Sequence, residues 1–215
     1  MKPVVKRCSI ALIVALGVTL SPGALRNSPE AQQKTASWED CRQSAYYCPA
    51  GVLTVGIGST GNVQKREYSN EEIARRWVND MQLAENCINS SFEGQAMPQS
   101  PFDAMTDAAF NVGCTGLMWF TNAQGSKQRT TIWKHAQAHE WVAICGRLTD
   151  FVNSDGKRSA GLVNRRTDFK AWCLRDVSTT PRGWLLRLAC CWHWPLPVCC
   201  GRPTSAVLIA PPVRR

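Results

Sequence analysis

The feature that most restricts how this chain folds is one long helical stripe. Ser69 and Glu72 have the spacing of a capping box, in which the serine hydroxyl takes an amide three residues on and the glutamate reaches back. Behind them Ile73, Trp77, Met81, Ala84 and Ile88 recur at steps of three and four, which places their side chains on one helical face. These are packing residues rather than a cofactor box. A helix with a single apolar face must bury it, so the stripe requires partner elements. A second helix is expected to begin at Ser100-Pro101 and to carry Phe102, Met105 and Ala109 into Phe110-Asn111-Val112-Gly113. A third is expected from Thr131 to Leu148, through Ile132, Ala136, Trp141 and Ile144. This part of the chain reads as a helical lobe.

Upstream lies a different kind of segment. Glu39 is followed nine positions on by Cys48, and Cys48 six positions on by Thr54, in a stretch that also holds Gly51, Gly56 and Gly58. Glycosidic cleavage needs an acid for the leaving oxygen and a second polar group to manage the attacking water or the developing positive charge. Glu39 follows Trp38 and a short helical stretch, so an apolar surface beside the carboxyl is expected to favour its protonated form. A thiol with a pKa near ~8.5 is mostly neutral at pH 7, so Cys48 serves either as a thiolate lowered by nearby cations or as a weaker polar partner. Taken singly, the three have plainer readings: a surface glutamate, half of a structural disulfide and a strand threonine.

Together with the glycines and the Ala45-Tyr46 pair, the spacing resembles phage-type lysozymes, glycoside hydrolase family 24. Their pattern is a Glu ending a helix, then an Asp or Cys, then a Thr in a Gly-rich hairpin. Phe110-Asn111-Val112-Gly113 and Gly161-Leu162-Val163-Asn164-Arg165-Arg166 match two further motifs of that family. The resemblance spans roughly residues 31 to 174 and implies an α+β, mainly helical, lysozyme-like fold with a small β-hairpin sheet and a larger helical lobe. It implies an endolysin acting on the β-1,4 bonds between N-acetylmuramic acid and N-acetylglucosamine in bacterial peptidoglycan, without a cofactor. Glu39 would be the general acid, Cys48 the second catalytic group where Asp is usual, and Thr54 the hydroxyl that holds the water. Asn111 and Arg165 are candidates for substrate contact; the alternatives are an Asn that shapes a helix end and an arginine that holds helices through carboxylates. Two positions depart from the family: Glu39-Asp40 stands in place of Glu-Gly, and Gly58-Ser59-Thr60 in place of Gly-His-Thr. Asp40 is expected either to repel charge from Glu39 or to distort a turn that prefers glycine.

Lys2, Lys6 and Arg7 precede a span with no charge until Arg26, near the lower length limit for crossing a bilayer and diluted by Gly17, Thr19, Ser21 and Gly23. No Ala-x-Ala-like cleavage site follows. Residues 1–26 are therefore expected to be a signal-anchor or a signal peptide, and the former is favoured: a segment held in the host inner membrane loosely enough to be released to the periplasm, as in the secreted endolysins this chain resembles. The positive flank fits targeting better than a core helix. Eleven cysteines favour an oxidising compartment. Cys41 lies close enough to Cys48 for a bond that would occupy the active-site thiol, and a released Cys8 could attack Cys41 and liberate Cys48 by thiol-disulfide exchange. The competing reading makes Cys41-Cys48 permanent or absent and Cys8 an apolar filler. Cys87 with Cys114, and Cys145 with Cys173, are the preferred structural pairs among the many that spacing allows.

The net charge of +9 points to an anionic partner. With no zinc-finger spacing, P-loop or aromatic RNA motif, that partner is expected to be the wall polymer rather than nucleic acid, and the protein a monomer. His135 and His139 have metal-ligand spacing but no third ligand, so no metal site is expected. Residues 175–215, with six prolines from Pro181 to Pro212, Cys190-Cys191, Cys199-Cys200 and Trp192-His193-Trp194, read as an irregular tail outside the fold. It is either unselected sequence or a membrane- or wall-binding appendage. Two rival functions remain at this level: an inactive prophage remnant that binds wall or membrane, and an amidase using Cys48 with a histidine, for which no flanking motif is present.

Overall fold

The structure, a computed structural model, describes residues 6–48, 51–154 and 156–177. Helix α1 (Ile10–Leu20) starts at Ser9, whose hydroxyl accepts from the Leu12 amide. Helix α2 (Pro29–Ser37) starts at Ser28, with proline in its first turn where no amide partner is needed. Strands β1 (Cys41–Tyr47) and β2 (Leu53–Ile57) form an antiparallel hairpin in the register Cys41 to Ile57 and Tyr46 to Thr54. The long stripe is helix α3 (Asn70–Ser91), and both halves of its capping box are made. Helices α4 (Gln99–Val112) and α5 (Cys114–Met118) follow, then a short hairpin of β3 (Trp119–Thr121) and β4 (Lys127–Arg129). Helices α6 (Thr131–Gln137) and α7 (Trp141–Arg147), the two-residue strands β5 (Asn153–Ser154) and β6 (Lys157–Arg158), and helix α8 (Ala160–Cys173) complete the described elements. This is the α+β, mainly helical, lysozyme-like arrangement expected from the sequence.

Two cores share α3. Its N-terminal half contributes Ile73, Trp77 and Met81 to a cluster with Ile13, Val14, Cys41, Val55 and Ile57, joining α1, the β1–β2 hairpin and α3. Its C-terminal half contributes Ile88 to a larger cluster with Phe102, Met105, Leu117, Ile132, Ile144 and Phe169. Phe110 packs on both, its ring edge-on to Trp77 with centroids 5.4 Å apart. Helix α4 is buried from Ser100 to Ala109, so it runs through the lobe rather than along its surface. Two close approaches depend on glycine. A Cβ on Gly56 would lie 2.7 Å from Ile73 Cγ2, and one on Gly17 would lie 3.1 Å from Val78 Cγ2, so β2 and α1 can sit against α3 only as they are.

Two expectations change, and the reading of the N-terminal segment gains a companion. The apolar N-terminal segment is a core helix here: Ile13, Val14 and Gly17 are buried against α3, and packing accounts for its apolar character as well as targeting does. At eleven residues α1 is short for a bilayer, and no helix among the described residues is long and apolar enough to cross a membrane. The stretch Thr131 to Leu148 is not one helix. It breaks at Ala138–Glu140, where His139 takes φ +54, so His135 and His139 do not share a helical face. The second helix begins one residue before Ser100, after Pro98. The expected tail lies outside the described residues, apart from Arg175 to Val177; there Asp176 exchanges hydrogen bonds with Ser100.

Disulfides join Cys8 to Cys41, Cys87 to Cys114, and Cys145 to Cys173. They tie the start of α1 to β1, α3 to α5, and α7 to α8. Closing loops of this length restrains the unfolded chain by roughly 3–4 kcal/mol each.

Candidate active site

Helix α2 ends by tightening. The Trp38 amide donates to Thr35 O and the Glu39 amide to Ala36 O, which leaves Glu39 at the mouth of a cleft of about 580 Å³. Gly58, Thr60, Asp80, Leu83, Phe110 and Asn111 also line it. Glu39 Oε1 accepts from Arg165 Nη1 at 2.7 Å. The other oxygen, Oε2, faces the hairpin and would lie 3.8 Å from a Cβ on Gly58. The apolar wall expected beside Glu39 is replaced by a guanidinium, because α8 brings Arg165 under the carboxyl while Trp38 turns partly to solvent.

Of the two readings of Arg165, the arginine that holds helices through carboxylates fits its burial, its side chain only 4% exposed. Its Nε and Nη2 reach Asp107, and Arg166 donates to the same carboxylate through Nη1. Asn111, also a candidate for substrate contact, lines the cleft, and its Oδ1 accepts from Arg166 Nη2. Gly113, at φ +80, ends the helix just beyond it.

Cys48 and Thr54 sit near the turn of the hairpin rather than in the lining of the main cleft. One carbonyl organises both: Val52 O accepts from the Cys48 amide at 3.0 Å and from Thr54 Oγ1 at 2.9 Å. Thr54 is buried opposite Tyr46. Burial pushes the Tyr46 phenol up, Arg42 opposes this, and the charges of Asp40, Glu39 and Cys48 add to the rise. The phenol is thus within electrostatic reach of both Glu39 and Cys48. Cys41 is bonded to Cys8.

Neither departure from the family pattern disturbs this arrangement. Asp40 turns to Arg42, which with Arg7 and the Cys41 amide holds its carboxyl below the usual range against some desolvation. Its backbone is outside the left-handed region, so the turn has no need of glycine there. Ser59 exchanges backbone hydrogen bonds with Val55 and donates its hydroxyl to Asp80, tying the end of the hairpin to α3. Burial raises the Asp80 pKa, while Ser59 and Arg76 act to lower it. The histidines are engaged elsewhere: His135 pairs with Glu140 at 2.5 Å, and His139 stacks on Trp141.

Residues 36–168 match the phage lysozyme family. The chain belongs to that family. It is 40% identical over 172 residues to the SAR-endolysin of Escherichia phage P1, covering 79% of this chain and 92% of the relative. It is 42% identical over 151 residues to the SAR-endolysin of Haemophilus phage HP1 (strain HP1c1), covering 69% and 81%. Among solved structures, the active form of the P1 phage endolysin Lyz superposes with a TM-score of 0.77 at 38% identity, over 81% of this chain and 98% of that one. The secreted inactive form of the same endolysin gives 0.50 at 34% identity, over 81% and 99%. The conformation described here is closer to the former.

Within this phage lysozyme, sequence reading passed over Asp107 and Asp80 as parts of the cleft. Asp107 carried a signal: a carboxylate with Ala104, Met105, Ala108, Ala109 and Phe110 around it in sequence, in a chain that also bears an adjacent arginine pair. Asp80 gave none, because an acid one step off a buried stripe reads as a solvated face.

Proposed function

We propose that this chain is a lytic endolysin that cleaves the β-1,4 bond between N-acetylmuramic acid and N-acetylglucosamine, with Glu39 as general acid. The observation that carries this reading is the split use of the Glu39 carboxyl. Oε1 accepts from Arg165, so the proton to be delivered belongs on Oε2, the oxygen on the Gly58 side of the cleft. That proton passes to the glycosidic oxygen as the bond to the anomeric carbon breaks, and water adds at that carbon. Thr54 is assigned to orienting that water on the family spacing; in this conformation it is buried beside the cleft and its hydroxyl donates to Val52 O. Cys48 is the second polar group beside the developing charge. Asn111, held by Arg166, presents its amide NH₂ for sugar or peptide carbonyls.

Two further parts of the reading concern where and when the enzyme acts. The N-terminal segment first sits in the inner membrane and then leaves it for the periplasm, where α1 buries Ile13 and Val14 against α3. The Cys8–Cys41 bond supports a switch by thiol-disulfide exchange, since a Cys41 sulfur engaged with Cys8 is not available to hold Cys48. The kinship with SAR-endolysins and the likeness to the active form of one support both.

The test is the purified chain on isolated peptidoglycan. New reducing ends are expected, and Glu39→Gln should remove them while leaving wall binding intact. New amino groups would point instead to an amidase, and binding without any product to an inactive remnant.

A further inference from the structure

Two adjacent arginines on α8 are buried with a single carboxylate between them. Asp107 has no solvent exposure, nor does the Arg166 side chain, and that of Arg165 has 4%. Arg165 meets Asp107 side-on, with Nε at 3.1 Å and Nη2 at 2.7 Å from Oδ1, and its remaining Nη1 is 2.7 Å from Glu39 Oε1. Arg166 places Nη1 at 2.7 Å from Asp107 Oδ2, with Nε on Phe151 O and Nη2 on Asn111 Oδ1. A guanidinium is a rigid planar fork, so fixing two of its nitrogens fixes the third. The direction from which each cleft group is held is therefore set at Asp107, one layer below the cleft.

The geometry points to Asp107 as a positioning residue for both sides of the reaction: through Arg165 it orients and charge-balances the acid Glu39, and through Arg166 it orients Asn111. This rests on the reading of Glu39 as general acid. The charge arithmetic gives it a consequence beyond packing. Arg165, Arg166 and Asp107 sum to a single positive charge beneath Glu39; without Asp107 the sum is two, in surroundings where charges interact strongly. Surplus positive charge favours carboxylate over carboxylic acid, and only the acid can donate. The other groups near Glu39 are Tyr46 from β1, which also feels Cys48, and Asp80 from α3 in the same cleft; Asp40 is answered by Arg42 and Arg7.

The experiment measures kcat and KM against pH for the purified full chain on soluble glycan strands, with near-UV circular dichroism to confirm the native fold. Asp107→Asn keeps the shape and removes the charge. It is expected to move the alkaline limb of kcat down by about one pH unit, with kcat at neutral pH about tenfold lower. Asp107→Glu, which restores the charge, should return the limb to its original position even if kcat stays low. Arg166→Gln should move the limb the other way and raise KM through Asn111. A folded Asp107→Asn or Arg166→Gln variant with an unmoved pH profile overturns the proposal, as does failure of both to fold, which would make the network structural only. Glu39→Gln is run alongside: if it stays active, the catalytic reading itself has failed, independently of Asp107.

Discussion

The helical wall of the cleft and the hairpin beside it are built on different principles. The helical wall holds Glu39 and Asn111 through buried charge: Asp107, Arg165 and Arg166 lie on α4 and α8, deep in the larger core, where neither water nor salt screens them. The hairpin wall holds Cys48 and Thr54 through one backbone carbonyl, and its base is fastened to the N-terminal segment by Cys8–Cys41 and by hydrogen bonds from Cys8 N to Cys41 O and Gln43 N to Lys6 O. A buried ion network forms with the fold and stays. A wall anchored by a disulfide and a docked helix responds to redox state and to the position of that helix. Glu39 thus hangs on the fixed side of the molecule, and Cys48 and Thr54 lie on the side whose fastening includes a reducible bond.

Removing the acid while sparing both walls gives the largest effect. Glu39→Gln should lower kcat by about 10²–10⁴-fold with an unchanged melting temperature, and a melting temperature that drops would show that Glu39 holds the walls together. Next comes the helical wall. Asp107→Ala leaves Arg166 without a carboxylate and Arg165 with Glu39 alone, and should cost about 3–5 kcal/mol in urea unfolding; a loss under 1 kcal/mol would mean water reaches the network. Cutting the hairpin's fastening should cost somewhat less stability. Cys8→Ser is expected to lose about 2–4 kcal/mol and, without reductant, at least about tenfold in activity; full activity there would remove the redox part of the contrast.

Two smaller effects show in the pH dependence of stability. The folded pKa of Asp80 is raised, chiefly by burial. The folded state therefore binds that proton better than the unfolded chain, and stability is lost as pH rises from the usual carboxylate range through the raised folded value. Asp80→Asn should flatten that loss, and an unchanged profile would place the Ser59–Asp80 link in water. Glu72 is the opposite case: Arg66 and then the Ser69 amide lower its pKa to about 2. Its contribution is present above pH 4.5 and fades as pH falls through about 2. Glu72→Gln should remove only that acid-side slope, the smallest change of the five.

What the sequence revealed follows from how far apart the interacting residues lie. The α3 stripe and its capping box were legible because both are local: Ser69 and Glu72 bond each other, and the apolar period reports one face. The spacing of Glu39, Cys48 and Thr54 was legible because a helix end and a hairpin leave fixed intervals. The role of Arg165 was not, since its partners sit 58 residues away at Asp107 and 126 away at Glu39, and an arginine pair reads the same whether it faces a sugar or a buried acid. The split between α6 and α7 was hidden because apolar residues keep helical spacing across His139, whose left-handed backbone leaves no trace in the pattern. For α1 the sequence was ambiguous by nature. An apolar helix of eleven residues has the same composition whether lipid or protein surrounds it.

The packing of α1 has a practical consequence for anyone handling this enzyme in pieces. A fragment trimmed to the family-matching residues would leave bare the flank of α3 that Ile13, Val14 and Gly17 cover, around Trp77 and Val78. It would also strand Cys41 without the sulfur it bonds. Residues 8–20 act in this conformation as a panel of the building, and preparations made without them should be sticky, loosely folded and poor guides to the whole.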